Sequence, residues 1–94
     1  MEKRVVVTGL GVVSPVGNNV DAMWDSIKNG RHGIAEITRF DLEGHKVTLA
    51  AEVKDFDFGD KRAAKRLDIA DQYALTAARE AISDSGIVSG ENVD

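Results

Sequence analysis

The sequence predicts an α/β fold because it combines a strand of the buried type with two helices. Three consecutive β-branched residues, Val5 to Val7, form an uninterrupted apolar run, which is typical of a strand covered on both faces. The segment after Asn19 repeats apolar residues at helical spacing, and residues 69–85 carry an alanine-rich helical face. Strands and helices in this mixture are characteristic of α/β layers.

The first strand is expected to span residues 3–9 and to end at Gly9 and Gly11. Residues 9–17 contain three glycines and the single proline of the chain, and this composition predicts a loop. A glycine pair after a strand is also found in dinucleotide-binding turns, but Ser14 stands where the third glycine of that motif belongs. A tight backbone path beneath packed neighbours is therefore the preferred interpretation of the two glycines.

The first helix begins after Asn18 or Asn19, either of which can act as the N-cap, and Gly30 is suited to end it. Its apolar stripe consists of Val20, Met23, Trp24 and Ile27. We expect Trp24 in the core rather than exposed as a stacking platform.

After the first helix, the spacing of apolar residues no longer indicates a helix. Residues 31–45 have mixed polarity and are expected to be irregular. Apolar residues then alternate with mainly polar ones along residues 46–53, which predicts a half-exposed strand at the edge of a sheet.

A short helical turn and one long helix are predicted in the second half of the chain. Asp60 can cap a short helical turn, while Asp68 and Gly86 mark the start and the end of a long helix. The inner side of the long helix is expected to carry Ile69, Ala70, Tyr73, Ala74, Ala77, Ala78, Ala81 and Ile82. This much alanine predicts close approach to another element, and residues 87–94 are expected to form a loop.

Composition excludes several classes of protein. The 94 residues contain no cysteine, which excludes a disulfide framework, a thiolate metal site and a cysteine nucleophile within them. No apolar run is long enough to span a membrane, and residues 1–9 lack the pattern of a secretory signal, so we expect a cytoplasmic protein. The formal net charge of −4 disfavours binding to nucleic acid or to a membrane surface.

The positive charge is concentrated in residues 61–66, which we call the basic patch. It contains Lys61, Arg62, Lys65 and Arg66 and no acid. The patch therefore carries +4, and the rest of the chain carries −8, which together give −4. A solvated helix face is one interpretation, and a docking site for an acidic surface or a phosphate is the other.

Other polar residues carry weaker signals. His32 and His45 lie 13 positions apart without a partner at helical spacing, and we interpret them as surface residues rather than metal ligands. Asp55, Asp57 and Asp60 do not have the spacing of a calcium loop and are interpreted as solvated acids at a turn. No metal site is predicted.

The predicted elements do not add up to a complete layered domain. A strand that is apolar on both faces needs a neighbour on each edge and a layer on each side. One further strand and two helices do not supply these. We therefore expect the chain to fold with a partner or to be part of something longer.

The sequence also resembles the condensing enzymes, in the form of the type II β-ketoacyl-acyl carrier protein synthases. The opening run VVVTGLGVVSPVGN, residues 5–18, carries the most specific part of this resemblance. The other matching residues, in order, are Trp24, Phe40-Asp41, Lys65-Arg66-Leu67-Asp68, Gln72-Tyr73-Ala74, Ala77-Ala78-Arg79-Glu80-Ala81 and Asp84-Ser85-Gly86. Together they span essentially the whole chain.

The resemblance implies that residues 1–94 are the N-terminal portion of a thiolase-like layered αβαβα fold in a cytoplasmic homodimer. It implies elongation of fatty acids: an acyl group moves from acyl carrier protein to a cysteine, and decarboxylation of malonyl-carrier protein gives the attacking carbanion. Two histidines would stabilise the oxyanions, and no cofactor is implied. The family's cysteine and histidines lie beyond residue 94, and His32 and His45 match neither histidine, so no catalytic residue is expected here.

One functional surface carries over from the resemblance. Arg62, Lys65 and Arg66 align with family positions that receive the acidic carrier protein, whereas Lys61 is adjacent without a firm match. Two alternatives remain open at this stage. One is a fragment of a polyketide ketosynthase or of its chain-length partner, and the other is a non-catalytic module that binds carrier protein.

Overall fold

The computed structural model describes residues 2–87, which contain three helices and two short strands. The elements in chain order are α1 (Val20–Lys28), β1 (Ile34–Glu36), β2 (Leu49–Ala51), α2 (Lys61–Ala64) and α3 (Ile69–Ser85). The chain divides into two compact units. The first consists of Met1–Val12 and Phe58–Asp94, and the second consists of Val13–Asp57. Of the predicted loop at residues 87–94, residues 88–94 lie outside the described residues.

Helix α1 in the second unit begins and ends as the sequence predicts. Asn19 is the N-cap, and its Oδ1 accepts a hydrogen bond of 2.8 Å from the backbone N–H of Ala22. Gly30, just past the helix, has φ +67°, the left-handed conformation that terminates helices.

The side of α1 that is buried differs from the prediction. Trp24 and Ile27 are 56% and 52% exposed, so the expectation that Trp24 lies in the core is wrong for this structure. The buried side chain of the helix is Ser26, whose Oγ donates a 2.6 Å hydrogen bond to the Val16 carbonyl. A hydroxyl can be buried there because this bond replaces its contact with water.

Strands β1 and β2 form an antiparallel pair in the same unit. Their register places Ile34 opposite Ala51 and Glu36 opposite Leu49. The predicted edge strand is confirmed, although it is shorter than the alternation indicated. The expectation that residues 31–45 are entirely irregular is wrong at β1, because backbone pairing with β2 forms a strand there without an apolar pattern.

The predicted strand at residues 3–9 is not formed. These residues belong to no helix or strand, and Val5, Val6 and Val7 are 98%, 69% and 78% exposed. Within the described part of the chain no strand lies beside them to accept their backbone hydrogen bonds. The β-branched side chains alone do not create a strand, because a strand is stabilised by pairing.

The glycines that follow are packed closely against α3, as the tight-path interpretation predicts. A Cβ atom at Gly9 would collide with the Ala81 carbonyl oxygen, and one at Gly11 would collide with the Ala77 carbonyl oxygen. The predicted close approach of the alanine face is therefore confirmed at these two alanines. Residues 9–13 belong to no helix or strand, and Ser14 forms an isolated bridge with Gly17.

Helix α3 ends at Gly86, which has φ +72°, as predicted. Asp68 is its N-cap by position, but its side chain makes no capping hydrogen bond. The predicted inner side is correct only in part. Tyr73, Ala77 and Ala81 are half-buried, whereas the remaining five residues of the predicted set are exposed, because the glycine segment covers a narrower strip of the helix.

The described residues contain no fully buried apolar side chain. Their large apolar residues are instead distributed over the surface, with Trp24, Val47 and Ile82 each more than half exposed. No helix among residues 2–87 is both long and apolar enough to cross a membrane.

Candidate functional site

The basic patch lies on α2 and the turn that follows it. Asp60 caps this helix: its Oδ1 accepts hydrogen bonds of 3.0 Å from the backbone N–H groups of both Arg62 and Ala63. The Asp60 carbonyl accepts a further bond of 2.9 Å from the Ala64 N–H. The predicted capping role of Asp60 is therefore confirmed, and it fixes the direction of the short helix that carries the charges.

A second set of hydrogen bonds joins the end of α2 to the first turn of α3. Gln72 Nε2 donates to the carbonyl oxygens of Ala64 and Leu67, at 3.1 and 3.2 Å. Backbone bonds from Arg66 to Ala63 and from Leu67 to Ala64 continue the turn. The basic patch is thus held at the start of the long helix by groups that are themselves part of secondary structure.

The four basic side chains of the patch are exposed. Among residues 2–87, ion pairs join Arg31 to Asp25 at 3.0 Å and Arg39 to Glu52 at 3.8 Å, and neither involves the patch. The four charges lie within six residues, so they repel one another, and an anion that binds among them relieves this repulsion. Such an arrangement leaves the guanidinium and ammonium groups available to an external anion.

The structure separates the members of the patch. Arg62 and Arg66, four positions apart, line one shallow pocket of about 300 Å³ together with Asp60, Ala63 and Leu67. Lys61 and Lys65 do not line it. The predicted site residues Arg62 and Arg66 are therefore brought together, and Lys65 lies beside them on exposed surface.

Ala63 and Leu67 are the residues of this pocket that sequence reasoning did not single out. Both are half-buried, and together they make its wall mainly apolar. Their positions in the sequence could have indicated this, since Ala63 and Leu67 lie four positions apart and each directly follows one of the two arginines.

A second pocket, in the other unit, has a more polar lining. It is formed by residues 14–19 with Ala22, Lys54 and Asp55. The Lys54 ammonium donates to the carbonyl oxygens of Gly33 and Glu52, at 2.8 and 3.0 Å, and so its hydrogen bonds serve the fold.

The two histidines make different contacts. His32 Nδ1 accepts a bond of 3.3 Å from the Ile34 N–H, and the His45 ring lies 5.3 Å from that of Phe40. Within residues 2–87, no group of three or more potential metal-binding side chains comes together.

Comparison with known proteins identifies relatives over nearly the whole chain. The chain is 47% identical over 93 residues to 3-oxoacyl-(acyl-carrier-protein) synthase 2 of Staphylococcus aureus strain COL, and the match covers 96% of this chain and 22% of that protein. Identity to the synthase 2 proteins of Coxiella burnetii and Synechocystis is 46% and 44%, with 97% and 96% of this chain covered. The chain therefore spans about a fifth of the length of these relatives.

A solved structure and a family model agree with these relatives. The structure described as the ishigamide ketosynthase/chain length factor matches with a TM-score of 0.70 and 38% identity, covering 88% of this chain and 21% of that one. The model of the beta-ketoacyl synthase N-terminal domain matches residues 2–94. The chain therefore belongs to the beta-ketoacyl synthase family, within its N-terminal domain.

Proposed function

We propose that this chain is part of a 3-oxoacyl-(acyl-carrier-protein) synthase, which condenses an acyl thioester with malonyl-carrier protein and releases carbon dioxide. The observation that carries the proposal is the 44–47% identity, over almost every residue, to proteins named for that activity. We further propose the thiolase-like layered fold, a homodimer and a cytoplasmic location for the whole protein.

In this proposal residues 1–94 supply scaffold and a docking surface rather than the reacting groups. The chain contains no cysteine, so the nucleophile that accepts the acyl group is not among these residues. The 94 residues offer two histidines, of which His45 lies against Phe40 and His32 accepts a backbone hydrogen bond.

The docking surface is the basic patch, with Arg62, Lys65 and Arg66 as the residues that hold the acidic carrier protein. Their exposure and their lack of ion pairs among residues 2–87 support this role. Clustered positive charge accelerates encounter with an acidic partner and orients it, and the effect weakens as salt screens the charges. The predicted contribution is therefore electrostatic and depends on ionic strength.

Charge reversal tests the docking surface. The double variant Lys65→Glu, Arg66→Glu in the intact protein is expected to bind acyl carrier protein about tenfold more weakly at low salt. The difference should shrink as the salt concentration approaches 1 M, where the Debye length is about 3 Å. Affinity is measured by calorimetry or surface plasmon resonance across a salt series.

The matched control reverses another Lys-Arg pair, Lys3 and Arg4, which is exposed and lies outside the patch. It changes the net charge by the same amount and should leave the affinity within about twofold. An unchanged affinity and salt slope in the Lys65, Arg66 variant would contradict the proposed docking role.

The match to a ketosynthase/chain length factor structure supports a second candidate, a protein of polyketide synthesis. Its 38% identity is lower than that of the synthase 2 relatives, which favours the first proposal. The purified intact protein distinguishes the two. A single elongation of a saturated acyl-carrier protein with malonyl-carrier protein supports the first, and repeated condensation without reduction supports the second.

A further inference from the structure

We propose that the pocket lined by Arg62 and Arg66 receives one apolar side chain of the acidic partner, while the two arginines pair with carboxylates that flank this side chain. This inference rests on the proposed docking of a carrier protein at the basic patch. The pocket would add a specific apolar contact, which we call the anchor, to a surface that otherwise attracts its partner only by charge. The partner must then present an exposed apolar residue with acidic residues on both sides of it.

The pocket has the size and lining for a side chain rather than for a cofactor. At about 300 Å³ it lies at the small end of the range for ligand pockets, and it is shallow. Its apolar wall is made by Ala63 and Leu67, both half-buried, with the aliphatic stems of the two arginines at its sides. An apolar group that rests against this wall loses part of its contact with water.

The charges at the pocket favour an acidic surround. Arg62 and Arg66 line the same pocket, and a guanidinium group can bind a carboxylate through two N–H groups. The carboxylate of Asp60 also lines the pocket, but its Oδ1 already accepts the backbone N–H groups of Arg62 and Ala63. Those two donors lie at the positive end of α2 and offset part of its repulsion toward an incoming acid.

The basic patch would contribute to binding in two ways, through its lysines and through its pocket. Lysines 61 and 65, outside the pocket, contribute to long-range attraction that salt screens. The pocket contributes removal of apolar surface from water, which salt does not screen. Central apolar contacts surrounded by charged groups are the usual arrangement of the residues that dominate an interface.

Filling the pocket tests the inference in the intact protein. Ala63→Met extends a side chain into the pocket, leaves all four charges in place and retains a strong helix former. Its affinity for acyl carrier protein is expected to fall about tenfold with an unchanged salt slope. The matched control is Ala74→Met, at an exposed alanine of α3 outside the pocket, which should leave the affinity within about twofold.

A second measurement leaves this chain unaltered and so does not depend on how Ala63→Met folds. Each exposed apolar residue between acids on the carrier protein is changed to serine, and binding is measured at low and high salt. One such variant should lose about tenfold in affinity at both salt concentrations, because the loss of an apolar contact is not screened by salt.

The outcomes distinguish this inference from the docking proposal beneath it. Weaker binding after charge reversal, together with full affinity in Ala63→Met and in every carrier-protein variant, overturns the anchor and leaves electrostatic docking intact. Full affinity in both the charge-reversal and the pocket variants overturns both. A loss in Ala63→Met that varies with salt in the same way as charge reversal also contradicts the anchor.

Discussion

At the scale of single residues, two glycines and two acids hold the N-terminal segment against α3. Gly9 and Gly11 permit a backbone approach that any side chain would prevent. The Leu10 N–H donates to Asp84 and the Val12 N–H donates to Glu80, each at 3.0 Å. Glu80 and Asp84 lie four positions apart and therefore on the same face of α3. From this face they accept hydrogen bonds from two residues that are two positions apart in the N-terminal segment.

The environment of Glu52 changes the titration of its carboxyl. Partial desolvation raises the pKa of its carboxyl, but hydrogen bonds from the Thr38 N–H and Oγ1 to Oε1, at 3.1 and 2.9 Å, oppose this. The Arg39 N–H and the Arg39 guanidinium lower the pKa of Glu52 further. The net effect is a pKa below the ordinary value of 4.5, because the partners favour the charged form.

This lowered pKa has a definite consequence for stability. A group whose pKa is lower in the folded state stabilises it fully above the unfolded value, and the contribution disappears as pH falls through the folded value. We therefore expect the carboxyl resonance of Glu52 to titrate below 4.5 in an NMR series on the intact protein, with the Thr38 amide shift following it.

The variant Thr38→Val tests the cause of this lowered pKa. It removes the hydrogen bond from the Thr38 hydroxyl to Glu52 and retains the hydrogen bond from the Thr38 backbone N–H. It should move the pKa of Glu52 upward. Titration of Glu52 at or above 4.5 in the unaltered chain would contradict the contacts described.

At the scale of elements, the short helix α2 depends on its cap. A helix of four residues contains few internal backbone hydrogen bonds, so little stabilises it beyond its first turn. Most of its backbone N–H groups lie in that first turn and have no partner inside the helix. Asp60 satisfies two of them, and Gln72 ties the other end to α3. The orientation of the two pocket arginines therefore depends on residues outside the basic patch.

Removal of the Asp60 cap should loosen the site while leaving its four positive charges in place. Asp60→Ala is expected to destabilise α2 by about 1 kcal/mol, which corresponds to roughly fivefold faster amide exchange at Arg62, Ala63 and Ala64. Hydrogen exchange followed by NMR or mass spectrometry measures this. Asp60→Asn retains a capping acceptor and is the matched control, for which exchange close to that of the unaltered chain is expected. Equal exchange in both variants would show that the cap does not hold the helix.

At the scale of the whole molecule, the described residues expose the apolar surface that would normally form a core. Val5 to Val7 are mostly exposed, and so are Trp24 and Ile27 on α1. Burial of apolar surface is the main favourable contribution to folding, and small chains are marginal even with a core. Residues 2–87 by themselves therefore lack the usual source of cooperative stability.

We expect the isolated 94-residue chain to behave as a loosely packed state. It should retain helical far-UV circular dichroism, bind the dye ANS and melt over a broad range without a calorimetric peak. A sharp, two-state melting transition without ANS binding would contradict this and would favour a self-sufficient carrier-protein-binding module.

Several features of this protein were predictable from sequence because they depend on neighbours within a few positions. The limits of α1 and α3 follow from Asn19, Gly30 and Gly86, and the cap of α2 follows from Asp60. The charge of the basic patch and the family resemblance are likewise properties of the residues in order. Local hydrogen bonding and backbone preference suffice for all of these.

The tertiary structure decided which surfaces are covered and which groups meet. The Val12–Glu80 bond joins residues 68 positions apart, and β1 forms only because β2 pairs with it. The valine run remained outside any strand and Trp24 remained exposed, because β-propensity and apolar character act only where a partner surface exists. The pocket between Arg62 and Arg66 likewise required the turn into α3, which brings Leu67 beside Ala63 and adds an apolar wall to a run of charges.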